Sequence, residues 1–168
     1  MKVSVRKVKK EISVDTVRKT VEELLIRDGY LVPVIFVCDR NEANIIDISE
    51  GMQSDEGKDE VVKLLVDYIE VKKAYKVIMV SECWAYKAPD GMTREQIDEV
   101  IELGKHRHDF DKEEMYQIIE ITADNIALLT RSFKKEDGKT VLTGSAIKSD
   151  QVELVRFKPI QDVLSMVS

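Results

Sequence analysis

His106-Arg107-His108-Asp109-Phe110-Asp111 places two imidazoles and two carboxylates within six residues. Those are the donors that zinc, manganese and iron accept. His106, His108 and Asp109 are the candidate metal ligands, with Asp111, Glu82 or Glu114 able to complete a set. A metal held there would make a hydroxide nucleophile from bound water, and an unbound carboxylate would act as base. The plainer reading of the same stretch is a solvated charged loop.

Ala74 to Pro89, AYKVIMVSECWAYKAP, is the second stretch with chemical content. Val77 to Val80 form a continuous apolar run of the kind found in a buried strand. With period two, Met79, Ser81, Cys83 and Ala85 share one face, and Ile78, Val80, Glu82, Trp84 and Tyr86 share the other. Glu82 then stands beside Trp84, the only tryptophan, near the end of a strand rooted in the core. Either Trp84 packs near the surface and Glu82 pairs with a Lys or Arg, or the two line a pocket. Trp84 and Tyr86 together are suited to anchoring a partner or a second copy, since aromatic residues dominate interface energetics. Cys83 reads as a structural thiol, because nothing in the sequence brings a histidine to it. Neither a G-x-S-x-G elbow nor a glycine-rich phosphate loop occurs.

The elements that must carry these residues follow from pattern. Val14, Val17, Val21, Leu24 and Leu25 make a helical stripe after an N-cap at Ser13 or Asp15, and Gly29 closes the helix. Leu31 to Cys38 and Ala43 to Ile48 read as a hairpin, with Pro33 near a strand start or at an edge. A second helix runs from about Lys58 to Lys73, followed by the strand containing Trp84. Pro89 and Asp90-Gly91 end that strand, and Thr93 with Gln96 has capping-box spacing for a short helix ending at Gly104. Lys105 to Glu114 reads as a charged loop. Tyr116 to Thr122, Ile126 to Phe133 and Val141 to Ile147 form a meander, turned once by Asp137-Gly138. Val152 to Phe157 is a further candidate strand, and residues 159–168 a short helix or loose tail.

The resulting order, α-β-β-α-β-α-β-β-β, predicts an α+β fold. It has a mostly antiparallel mixed sheet of five to six strands, two main helices and one short one. The 168 residues predict a single domain with a real core. No apolar run approaches a membrane span, and the start is too polar for a secretory signal. Two cysteines inside apolar segments point to reduced thiols in a cytoplasmic protein, and a Cys38–Cys83 bridge would require the two strands to be neighbours.

Net charge is −6. Lys2, Arg6, Lys7, Lys9 and Lys10 make residues 1–12 a basic arm or terminal strand, while the 158 residues after Lys10 carry 21 basic and 32 acidic side chains. So acidic a body is a poor nucleic-acid surface.

The H-x-H spacing resembles the metalloprotease-like deubiquitinase family, but Tyr116 and Ile119 stand where that family has a serine and an aspartate. Four other pieces resemble small prokaryotic and phage-borne proteins of unknown function. They are Gly29-Tyr30-Leu31 with Pro33, Lys58 opening the second helix, Ser81-Glu82-Cys83-Trp84, and Asp109-Phe110-Asp111-Lys112-Glu113-Glu114. Phe110 and Lys112 stand where that group has Pro and Arg. The resemblance spans Gly29 to Phe133, implies no activity, and directs attention to Glu82, Trp84, Asp109 and Glu114. The expectation is a non-catalytic cytoplasmic binding domain for a protein partner or a second copy, with Glu82, Trp84, Tyr86, Asp109 and Glu114 as binding residues and no cofactor. The alternative is a divalent-metal hydrolase built on His106 and His108.

Overall fold

The computed structural model describes residues 4–8 and 11–167. Of the basic arm, Lys2, Lys9 and Lys10 lie outside the described residues, as does Ser168. Arg6 and Lys7 belong to β1 (Val5–Val8), so the described part of the arm is a strand.

The other strands are β2 (Val34–Cys38), β3 (Ala43–Asp47), β4 (Lys76–Lys87), β5 (Asp111–Thr122), β6 (Ile126–Glu136) and β7 (Lys139–Ser149). They form one sheet in the order β1-β3-β2-β4-β5-β6-β7. Among the described residues every pairing is antiparallel, so the sheet is not mixed, and it has seven strands rather than five or six. β1 is the terminal strand that was one of the two readings of the basic arm, and it holds an edge position beside β3.

Among the described residues five helices accompany the sheet: α1 (Val14–Asp28), α2 (Asp55–Lys72), α3 (Arg94–Glu102), α4 (His106–Asp109) and α5 (Lys158–Val167). Ser13 caps α1 by accepting from the Thr16 N–H at 3.2 Å. Gly29 ends it at φ +81°, where a side chain would be strained. Thr93 and Gln96 form the expected capping box on α3. α2 starts three residues before the expected Lys58, because Ser54 caps it by accepting from the Gly57 N–H. Gly57 is pressed against the preceding 3₁₀ turn (Gly51–Gln53): a Cβ there would lie 2.5 Å from the Gly51 carbonyl oxygen.

Two apolar layers sandwich the sheet. On one face Val17, Val21 and Leu25 of α1 pack on Ile78, Val80, Tyr116, Ile118 and Phe133. On the other, Val61, Leu65 and Ile69 of α2 and Ile160, Val163 and Leu164 of α5 pack on Ile35, Ile46, Val77, Met79, Ile119 and Ile121. Residues 159–167 therefore form the short helix and not a loose tail, Ser168 lying outside the described residues. Their i, i+3, i+4 apolar spacing buries a helix face against α2 and the sheet. Val152 to Phe157 is not a strand: after Ser149 the chain leaves β7, and Val155–Phe157 is a 3₁₀ turn leading into α5. Among the described residues no helix is long and apolar enough to cross a membrane.

Candidate functional site

β4 outlasts its neighbour. β2 pairs with Lys76–Val80 and stops, whereas β5 pairs with all of Lys76–Lys87. β6 meets β5 only between Glu114 and Ile121. Past Val80 the β4–β5 ribbon thus forms an open edge of the sheet, and past Trp84 it runs on without β6 beside it. On its side away from β5, the stretch Ser81–Lys87 has no strand partner among the described residues. The expected charged loop Lys105 to Glu114 is instead α4 followed directly by the start of β5. Its strand character was masked because Asp111-Lys112-Glu113 lies on a ribbon wet on both faces, where no apolar alternation is required.

A cleft of about 500 Å³ occupies the notch where β2 ends, walled by Leu31, Pro33, Lys58, Glu82, Cys83 and Trp84. Glu82 and Trp84 share this wall, as the pocket reading expects. Among the described residues Glu82 is paired with no Lys or Arg. Its Oε1 accepts the backbone N–H of Leu31 at 2.6 Å, fixing the chain where it leaves α1. Across the cleft floor Gln117 Nε2 donates to Ser81 Oγ at 3.0 Å.

Trp84 is 51% exposed. The Lys112 ammonium lies 4.9 Å from its ring centroid, a cation–π distance. Glu114 stands directly opposite Trp84, and Lys112 opposite Tyr86. The Tyr86 ring meets His106 edge to face, with centroids 5.0 Å apart at 85°. Phe110 is buried and secures the short α4. Glu82, Trp84, Tyr86 and Glu114 therefore occupy one face of the ribbon, while Asp109 is exposed at the end of α4.

The candidate metal ligands are not brought together. His106 turns toward Tyr86, and its Nδ1 is buried with no hydrogen-bond partner. His108 and Asp109 face solvent. Among the described residues no three His, Cys, Asp or Glu side chains converge as a metal site would need.

Both thiols are unbridged. Cys38 pairs opposite Lys76, and Cys83 lies seven positions farther along β4, roughly 20 Å away at strand rise, so no bridge can form. Burial pushes the Cys38 thiol up to about 11 against the opposing pull of Lys76. Burial and then the Glu82 carboxylate raise that of Cys83. Neither is an activated nucleophile.

One polar cluster went unrecognised in the sequence. Glu22 of α1 accepts the Tyr116 hydroxyl at 2.7 Å and Arg131 Nη1 at 2.9 Å through the same oxygen. Arg18 approaches its other oxygen at 3.5 Å. Burial pushes the Glu22 carboxyl up, but the hydrogen bonds from Tyr116 and Arg131 and the nearby guanidinium charges outweigh it and hold the group below the ordinary value. Burial, then Glu22, drive the Tyr116 phenol well above its usual range. The signal was present in β6, where Ala127, Leu129, Arg131 and Phe133 alternate inward and Arg131 is the one charged member. Tyr116 is fully buried, so this cluster fastens α1 to the sheet rather than meeting a ligand.

Comparison of the chain with protein-family models, with curated proteins and with solved structures finds no match, so the functional reading rests on this geometry alone.

Proposed function

We propose that the chain is a non-catalytic binding module of the cytoplasm, and that the β4–β5 ribbon is its contact surface. The observation that carries this is the half-exposed Trp84 beside the unpartnered stretch Ser81–Lys87. An open strand edge presents backbone donors and acceptors to an added strand, and such augmentation takes its specificity from neighbouring pockets. The Glu82–Trp84 cleft is such a pocket, and Lys112 and Glu114 supply charge of both signs around the indole. The occupant is an extended segment of a protein partner or of a second copy.

Trp84 is the sole indole and reports directly on occupancy. Peptides displayed as a random library and selected on the wild-type chain are expected to shift Trp84 emission. They should bind Trp84→Ala about thirtyfold more weakly, the loss expected of a hot-spot aromatic. Sedimentation of the wild type and of Ala85→Pro across a concentration series tests the second copy: concentration-dependent association lost in the variant identifies it. A chain that stays monomeric and yields only peptides indifferent to Trp84→Ala and Ala85→Pro would overturn the reading.

A further inference from the structure

A second concavity lies under the flank of α1, on the sheet face opposite α2 and α5. α1 covers β4 to β7 with Val17, Val21 and Leu25, and its next stripe, Thr16, Thr20, Leu24 and Asp28, overhangs β2 and β3. Between that stripe and a floor of Val34, Phe36, Ile45 and Val80 is a half-enclosed slot of about 350 Å³. Ile12 lies at one end and Tyr30 and Val32 at the other. Protein interiors leave few voids larger than a water molecule, and small-molecule sites are apolar clefts of about 300–1,000 Å³ with a few polar groups. The slot meets that description and is separate from the Trp84 cleft, with only Leu31 lining both.

Its shape and charge narrow the occupant. From Thr16 to Asp28 the overhanging stripe spans roughly 18 Å at helical rise, so the slot is elongated along α1. An elongated apolar slot suits an extended polymethylene chain. Among the described residues Asp28 is the sole charged lining group, and Arg27 already neutralises it through two hydrogen bonds of 2.7 and 2.6 Å. Among the described residues no cation lines the slot to meet a carboxylate or phosphate. Thr16, Thr20 and Tyr30 are the neutral polar residues of the lining, and Thr20 Oγ1, which donates to the Thr16 carbonyl at 3.2 Å, keeps its lone pairs to accept from a hydroxyl. We infer that the slot binds a neutral, unbranched aliphatic chain ending in a hydroxyl or carbonyl group.

The test is calorimetric titration of the full chain with hexan-1-ol, octan-1-ol and decan-1-ol, and with decanoate. One site per chain is expected, tightening about fourfold per added methylene, the increment for burying one CH₂. Decanoate should bind at least tenfold more weakly than decan-1-ol. Thr20→Trp, at an exposed helix position over the slot, should abolish alcohol binding while leaving the circular dichroism spectrum intact. Val32→Trp at the mouth is the second variant should the first unfold. Trp84→Ala should bind the alcohols as the wild type does. Absence of saturable binding, equal binding of decanoate, or alcohol binding unaffected by a folded slot-filling variant would each overturn the inference.

Discussion

The Glu82 carboxylate accepts the Leu31 N–H at 2.6 Å across 51 positions of sequence. That bond pins the loop after α1 to the ribbon, and Leu31 is the partition between the polar cleft and the apolar slot. Glu82→Ala should lower stability by about 1 kcal/mol, a typical value for one hydrogen bond at a solvated site. Urea unfolding reads that loss. Faster hydrogen exchange at the Leu31 amide, with Glu82→Gln restoring much of the protection, separates the latch from a general loosening.

Tyr116 and Arg131 converge on one oxygen of Glu22, so their deletions should not add. Tyr116→Phe should cost about 1–2 kcal/mol through one charge-assisted hydrogen bond. Glu22→Ala should cost more, about 3 kcal/mol, because it strands a half-buried guanidinium and a buried hydroxyl. A double-mutant cycle by denaturant unfolding checks both the values and the coupling.

The same cluster sets two edges of pH stability. Glu22 has its carboxyl depressed in the fold, so its contribution is present above the unfolded value of about 4 and is lost as pH falls through the lower folded value. Tyr116 has its phenol raised, so its contribution is present below about pH 10 and is lost as pH climbs through the higher folded value. Unfolding midpoints across pH should show both declines. Glu22→Gln should flatten the acid limb, and Tyr116→Phe the alkaline one.

Cys38 carries a thiol held at about 11 inside the core. At pH 8 roughly one part in a thousand is thiolate, and access is blocked as well. Cys83, half-buried in the cleft, should react with a maleimide first and slowly, and Cys38 only on unfolding. Oxidation of the native chain should leave both thiols free within the monomer, as mass spectrometry of alkylated protein would show.

Leu164 and Ile160 of α5 are fully buried against α2 and the sheet. Leu164→Ala should cost about 2–5 kcal/mol, the range for emptying a packed leucine site. Thermal unfolding measures it directly. A loss below 1 kcal/mol would mean that α5 contributes little to the core.

What could be read from residue order was whatever a local pattern decides. Ser13, Gly29, Thr93 and Gln96 fix helix ends through bonds within a few residues, and they stand where expected. The alternation around Met79 to Tyr86 correctly divided β4 between two faces, and it put Glu82 and Trp84 on one wall. Partners chosen by topology were hidden. Nothing near Glu82 announces Leu31, and nothing near Tyr116 announces Glu22. His106 and His108 suggested a shared metal because they are close in sequence, yet the turn of α4 sends one to an aromatic ring and the other to water. The start of β5 was obscured because charged residues on a ribbon wet on both faces carry no periodic apolar signature.

The length mismatch between β2 and β4 divides one strand into two regimes of tolerance. Lys76 to Val80 admit few replacements, because each is buried and lies between the flanking strands β2 and β5. Glu82 to Lys87 hang from a single neighbouring strand, and their side chains are wholly or partly in water. Variation can therefore accumulate in the outer half while folding is left intact. A lineage carrying this scaffold could exchange what it recognises by drift in six consecutive codons, with the sheet and its two helical layers inherited unchanged.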